Sequence, residues 1–391
     1  MRNRISYIIQ HFKNIIMTSK DIPLDVLPNT IFKVNDFYYQ VREDKLSVEV
    51  VRNGDEKYDL TEVSIPEHIL HKGKRYTVSS IGESTFWNCK SIKTIRIPNS
   101  ILHIKNRAFY GCSSATSISI SDNAISIGEE SFAYCESLKS IVIPYRVKKI
   151  GQKSFEGCES LESINVENDN KYYDSRDNCN AIIDSRSAIL IAGSKNTVIP
   201  NGIKEIGDYA FAGCTYLTSL NLPNSIKSIG NSAFWYCESL KEITLSTKVK
   251  TIGKHAFQNC SSLQEIILPN SVKYIGYGAF WDCFALTSVV ISNQLKRIEN
   301  ETFGFCKSLR SIIIPNNVKS IGQTAFWGCS SLMFISISKG LKSIESGVFD
   351  DCSSLESIYY NGTDTEWTAI HKQSRFGDKV VHCINKDIIT Y

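Results

Sequence analysis

A motif that returns every 23 residues constrains this chain more than any other feature. NSIKSIGNSAFWYCESLKEITLS at 224–246 is followed by TKVKTIGKHAFQNCSSLQEIILP and then by NSVKYIGYGAFWDCFALTSVVIS. Aligned on cysteine, Cys89, Cys112, Cys135 and Cys158 stand 23 apart, and Cys214, Cys237, Cys260, Cys283, Cys306, Cys329 and Cys352 resume the same step. A phenylalanine precedes each by three, from Phe86 to Phe349, and Leu, Ile or Ala follows each by three. The unit is V-K-x-I-G-x-x-A-F-x-x-C-x-S-L-x-x-I-x-I-P-x-S. Length alone would divide 391 residues into two or three globular domains, but a period in the twenties overrides that expectation.

Such a unit cannot bury its own apolar side, so units stack and share one continuous core. The L-x-x-I-x-I run, as in Leu240, Ile243 and Leu245, reads as a short strand of a parallel sheet with one face inward. A proline often stops it, as at Pro98, Pro144, Pro223, Pro269 and Pro315. The I-G pair predicts a turn that uses positive φ, although Lys105, Glu299 and Glu345 replace the glycine in three units. The A-F-x-x-C stretch suits one helical or 3₁₀ turn on the outer side.

Between Val166 and Ile199 the step lengthens to 33 and the A-F-x-x-C signature is missing. This segment predicts a divergent coil with a protruding hairpin, AII-DSRS-AILI, at 181–191. The ends read as caps. Residues 45–65 alternate like strands around Asn53-Gly54, a strong hairpin signal. Near the other end Trp367 and Ile370 are placed to cover the last coil. The expected organisation is a segment 1–36 and a β cap 37–77. A repeat array 78–361 follows, with eleven regular coils and the divergent coil around 167–199, and then a terminal cap 362–391.

The I-G-x-x-A-F-x-x-C-x-x-L-x-x-I-x-I-P pattern resembles the BspA-like, or Treponema-type, leucine-rich repeat family over roughly residues 63–361. The resemblance implies a right-handed, β-rich leucine-rich-repeat horseshoe with a parallel sheet on its concave face. It also implies a non-enzymatic recognition or adhesion protein that binds protein partners, such as host or bacterial surface proteins. Cell-surface or secreted placement follows from the same resemblance.

The N-terminus points elsewhere. Arg2 and Arg4 could open a signal peptide, but Gln10, His11 and Lys13 interrupt the apolar stretch and no small-residue cleavage site follows. Taken at face value, this reads as a cytoplasmic chain, and Met17 is an alternative start. No segment is apolar enough to span a membrane.

Chemistry is sparse in the sequence. The eleven cysteines in register sit one strand spacing apart, about 4.8 Å, too far and too parallel for disulfides. They read as small buried thiols, with Cys179 and Cys383 off the row. No C-x-x-C pair is present for zinc, and His68 and His71 lack a zinc motif. No cofactor or metal is expected. Asp174, Asp177 and Asp184 are the acids on which an enzymatic reading of the divergent segment would rest.

Three surfaces carry binding hypotheses. Outward strand positions are small and polar early in the array, as at Ser117 and Ser119, and become apolar later at Ile267, Val290, Ile313, Phe334 and Tyr359, a candidate partner stripe. Outer-turn aromatics, Trp87, Tyr110, Trp235, Trp281 and Trp327, are either sugar platforms or packing between coils. A row of lysines, Lys204, Lys227, Lys250, Lys273, Lys296, Lys319 and Lys342, is a candidate site for a sulfated or acidic glycan, or else a solvated edge that discourages strand pairing. Net charge is only +4, which argues against a nucleic-acid partner.

Overall fold

One coil, 224–246, shows how the repeat folds. Its apolar residues Ile226, Ile229, Phe234, Cys237, Leu240 and Ile243 all point to the core. The chain joins them with a two-residue strand, Ser228–Ile229, a run of tight turns, and a longer strand, Glu242–Thr244. Repetition stacks each piece on its counterpart in a parallel ladder, with Ile229 beside Ile252 and Ile243 beside Leu220. The computed structural model describes residues 27–52, 54, 57–373 and 380–384. They form a solenoid of about 13 turns. The described residues contain one α-helix, Asp364–Ala369, and no helix among them is long and apolar enough to cross a membrane.

The turn strip is not helical. Within it Trp235 N–H donates to the Ser232 carbonyl, Cys237 to Phe234 and Leu240 to Cys237. Each is an i to i−3 bond, yet Ser232 and Tyr236 have φ of 51° and 57°. Those left-handed residues re-aim the backbone, and the strip bonds sideways: Ser232, Phe234 and Tyr236 N–H groups donate to Lys254, Ala256 and Gln258 of the next coil. Inter-coil bonds therefore replace the predicted helical turn.

The I-G glycine has a different role from the one the sequence predicts. Gly128, Gly151, Gly230, Gly253, Gly276 and Gly322 are absent from the positive-φ residues. What they lack is room. A Cβ on Gly253 would lie 2.5 Å from the Gly230 carbonyl carbon and 2.6 Å from Asn231 N. The positive φ falls two residues later instead, at Tyr209, Ser232, His255, Gly278, Glu301, Thr324 and Gly347.

Two columns fill the core. The Phe rings stack from Phe86 to Phe155 and from Phe211 to Phe349, with planes within 14° and centroids 5.0–6.0 Å apart. Beside them run the cysteines, all free and, on the ladder, all buried. Each thiol is more than apolar filling. Cys260 Sγ lies 3.2 Å from the Phe234 carbonyl oxygen of the preceding coil. The same contact, 3.1–3.4 Å, recurs at Cys112, Cys135, Cys158, Cys237, Cys283, Cys306, Cys329 and Cys352. A thiol is small enough for the slot and still donates to a carbonyl that the turn leaves facing inward. Cys179 is buried too, while Cys383 is partly exposed.

The divergent coil corrects a third expectation. Strands Ala181–Asp184 and Ile189–Gly193 do form an antiparallel hairpin, but it does not protrude. Ile182 and Ala192 pack into the core on the N-terminal side, and Ala181, Ile183 and Leu190 into the core on the C-terminal side. The hairpin is thus a partition with both faces covered, which is why its sequence is apolar at consecutive positions rather than alternating. Gly193 takes the slot of the missing phenylalanine: its N–H donates to Ala210 and a Cβ there would overlap the Phe211 ring.

The front cap is an antiparallel meander, Ile31–Val34, Phe37–Val41 and Ser47–Val51, joined in parallel to Lys74–Ile81. Phe37 and Tyr58 set their rings against Phe86 and close the Phe column. Asn53, on which the predicted hairpin turns, lies outside the described residues, and the strands on either side of it do not pair with each other. Ser47–Val51 pairs with other strands, and Glu62–Ser64 already pairs with Thr94–Arg96 of the array. A further antiparallel hairpin joins His68–His71 to Lys74–Ile81. At the other end Thr363 and Glu366 form a reciprocal capping box, Trp367 packs on Tyr360, and Ile370 is buried. The predicted N-terminal segment lies, through residue 26, outside the described residues, as do 374–379 and 385–391 of the terminal cap.

Candidate binding surfaces

The long strands present two outward rows. In the second, Ile267 pairs with Val290, and Ile313 with Ser336, which in turn pairs with Tyr359. Ile267, Val290 and Ile313 are 62%, 51% and 67% exposed, unusually high for branched aliphatic residues at three successive coils. They floor an open groove of about 700 Å³ whose rim includes Asn270, Asn293 and Asn316. Phe334 is exposed but belongs to the first row, in register with Ser311 and Ser357. Its ring meets Tyr359 edge-on at 6.2 Å, and Tyr359 stacks on His382 at 5.0 Å. The apolar row is thus interrupted at Ser336 and resumes at Tyr359, with Phe334 of the neighbouring row beside the gap. Sequence reading missed His382, which stands one further step of 23 after Tyr359 and pairs with it from the strand Val380–Cys383.

The seven lysines align as the repeat arithmetic implies. Lys227 N–H donates to the Lys204 carbonyl, Lys250 to Lys227, Lys273 to Lys250, Lys319 to Lys296 and Lys342 to Lys319, at 2.7–2.9 Å. All seven side chains are exposed. Apart from the step between Lys273 and Lys296, where the short-strand ladder is interrupted, the backbone groups of the row are consumed between coils, so the edge-protecting role does not apply along those stretches.

The outer aromatics pack against one another. Trp281 meets Phe305 and Trp327 at 5.1 and 5.7 Å and covers Gly304, where a side chain would collide with the indole. Trp327 Nε1 donates to Asp351 at 2.8 Å. Trp87 and Tyr110 are neighbours at 6.5 Å, and Trp235 lies edge-on to Tyr236. Each ring thus has an aromatic neighbour, although Trp87 stays 37% exposed.

The acids of the divergent coil are turn anchors. Asp184 accepts backbone N–H groups of Arg186 and Ser187, and Asp174 binds the Arg176 guanidinium and the Ser185 hydroxyl. Burial alone would raise the Asp174 carboxyl, but hydrogen bonds from Arg176 and Ser185 outweigh it and hold the group below the usual carboxylate range. Asp177 is exposed. His71 stacks on Phe32 at 3.9 Å, and His68 contacts Thr77. Among the described residues no group of three His, Cys, Asp or Glu side chains is arranged to hold a metal ion.

Sequence reading also missed a polar knot under the front cap. Lys105, one of the residues that replace the I-G glycine, reaches buried Glu49 at 2.7 Å, with Ser80 and Arg42 beside it. An adjoining groove is lined by Arg42, His103, Ser126 and Lys149. Burial lowers the His103 pKa, and the neighbouring Arg42 and Lys105 lower it further. The signal was the exception at Lys105 itself, whose partner lies 56 residues upstream.

The BspA type leucine-rich repeat region matches in six copies, over residues 57–181, 192–306 and 275–374. The chain belongs to this family. The solved structures it resembles include a leucine-rich repeat protein of Eubacterium ventriosum. That protein is 19% identical with a TM-score of 0.62, covering 92% of this chain and 96% of the other. The pneumococcal vaccine antigen PcpA is 20% identical with a TM-score of 0.54, covering 92% and 99%. A leucine-rich repeat protein of Bacteroides ovatus is 23% identical with a TM-score of 0.50, covering 90% and 100%. At these identities the likeness concerns the fold. No curated protein matches the chain. As a BspA-type chain it has the expected leucine-rich-repeat architecture, and its short-strand ladder adds a second row of strands that the sequence reading treated as a turn.

Proposed function

We propose that this BspA-type protein is a recognition or adhesion protein that holds a protein partner on the C-terminal half of its long-strand sheet, and that it works at the cell surface or after secretion. The observation that carries this reading is the exposed row Ile267, Val290 and Ile313, continued by Tyr359 with Phe334 alongside. Side chains on that sheet do not hold the coil together; the inward residues do that. Apolar residues that serve no core and face water in one contiguous stripe favour a partner that covers them. Asparagine and serine around the groove would supply the polar rim common at interfaces. The occupant that fits is a segment of a host or bacterial surface protein presenting aliphatic or aromatic side chains.

The test compares wild type with an Ile267→Ser, Val290→Ser, Ile313→Ser variant against surface-protein extracts of host and bacterial cells. A partner retained by wild type is identified, purified and titrated against both. The reading expects the variant to lose affinity by about tenfold or more, ~1.4 kcal/mol, while a Val142→Ser control on the polar half is unchanged. Equal affinity for all three proteins, or a ligand found only on glycan arrays, would overturn it.

A further inference from the structure

The lysine row calls for a separate explanation because the fold does not require it. In the first coils the same backbone position is occupied by Leu102 and Ile125, bonded in the same way, with Lys148 N–H donating to Ile125 and Ile125 N–H to Leu102. From Lys204 onward seven consecutive coils carry lysine. Among the described residues no carboxylate pairs with any of the seven; the ion pairs of the molecule involve other cations. Adjacent ammonium groups one coil apart repel one another even in a water-like dielectric. Salt reduces that cost but does not turn it into a gain. The Lys319 ammonium donates to the Asn316 carbonyl at 3.2 Å, but a row that pairs with no carboxylate and guards no edge is placed for something outside the molecule.

We propose that the row is a binding site for a linear acidic polysaccharide lying along the solenoid axis. Two features of the strip select that class. The first is charge spacing. Lysines every ~4.8 Å extend over roughly 29 Å, sparser than the ~1.7 Å per charge of a DNA duplex and suited to a chain with one anionic group on successive sugars. The second is what flanks the row. The residue after each lysine is a hydroxyl at Ser228, Thr251, Ser320 and Ser343, with Glu205, Tyr274 and Arg297 in the other three coils, and Ser228 donates to Glu205; three residues before the lysine, asparagines such as Asn224 and Asn270 recur at the same step. Short hydroxyl and amide groups beside a cationic row are complementary to sugar hydroxyls beside carboxylates or sulfates. Binders of single-stranded nucleic acid instead interleave aromatic platforms, and this strip has only Tyr274.

The site lies on a different strip from the apolar groove, so either can fail alone. The experiment titrates wild-type protein with polygalacturonate, heparin, neutral dextran and single-stranded DNA across a salt series. Binding to one or both acidic glycans and not to dextran is expected, weakening as salt rises because counterions are released. A Lys227→Gln, Lys250→Gln, Lys273→Gln variant should bind about tenfold or more weakly with a shallower salt dependence. A control losing equal charge elsewhere, Lys90→Gln, Lys93→Gln, Lys139→Gln, should bind like wild type. Polygalacturonate and heparin together decide whether the anion is a carboxylate or a sulfate. Equal losses in the two variants would reduce the effect to net charge and overturn the proposal. So would absence of glycan binding, or DNA bound as tightly through the same three lysines.

Discussion

Thr324 has a backbone conformation that its side chain resists. A β-branched residue at φ 52° is an outlier, because Cβ crowds the following carbonyl at a cost of roughly 1–2 kcal/mol. The position tolerates it because Thr324 N–H donates to the Ser346 carbonyl of the next coil at 3.0 Å, a bond that requires the left-handed turn. Glycine already stands at the equivalent place in two coils, Gly278 and Gly347. Thr324→Gly should therefore stabilise the array by about 0.5–1 kcal/mol, read as a higher denaturant midpoint; a lower midpoint would show that the threonine side chain packs more than it strains. Residue identity in the repeat was fully legible, but its purpose was not. Glycine after isoleucine signals either a positive φ or a close approach, and sequence alone does not separate them. Only the stacked neighbour, with Asn231 N 2.6 Å from where a Gly253 Cβ would stand, decides for approach. The same holds for cysteine. Burial was legible from the apolar register, whereas the bond from thiol to the Phe carbonyl depends on turn geometry that the letters do not carry.

At the scale of elements, the hairpin at Ala181–Gly193 determines whether the array is one body. The buried residues divide into two clusters that meet there, with Ile182 and Ala192 on one side and Ile183 and Leu190 on the other. In a solenoid, stability is a sum of unit and nearest-neighbour terms, so a fault in the partition uncouples the halves. Ile183→Asp places an unpaired charge in the C-terminal core and should cost about 3–5 kcal/mol. Hydrogen exchange should accelerate across 181–211 first, with the distant coils less affected. A Val142→Asp control on the exposed strand face should cost little, and equal protection in both variants would show that the hairpin is a decoration after all. The hairpin itself was legible from its turn and strand pattern. Its placement was misread although the sequence held the clue: AIID and AILIAG are apolar on both alternations, which suits a strand covered on two faces. The candidate stripe was legible by arithmetic, since steps of 23 from Ile267 reach Val290, Ile313, Ser336 and Tyr359. The same arithmetic puts Phe334 in the other row. The next step of 23 reaches His382, so its signal was present and went unread; the short strands also recur every 23 residues, but two residues are too few to show a strand's alternation.

Across the whole molecule the cysteine column makes stability depend on pH in one direction. Burial pushes the thiols up at Cys89, Cys112, Cys135, Cys158, Cys179, Cys214, Cys237, Cys260, Cys283, Cys306 and Cys329, with Cys214 at about 12. A thiol with a raised pKa in the folded state stays protonated there while the unfolded chain ionises from about pH 8.5 upward. Its stabilisation is therefore complete below that pH and is lost as pH climbs toward the folded value. Each thiol withdraws about 1.4 kcal/mol per pH unit in that window. With the burden spread over successive coils, a single unit of pH removes an amount comparable to the ~5–15 kcal/mol that holds an ordinary domain. The melting temperature should be flat to about pH 8 and fall steeply above pH 9; in a Cys383→Ser background, which removes the partly exposed thiol, thiolate absorbance should appear only with loss of the far-ultraviolet sheet signal. Replacing Cys237, Cys260 and Cys283 together by alanine should lower stability at neutral pH and flatten the alkaline decline. Thiolate absorbance rising at pH 9 while the sheet signal stays intact would mean that the column is open to solvent, and that the tight stacking of Phe and Cys described for the core does not persist in solution.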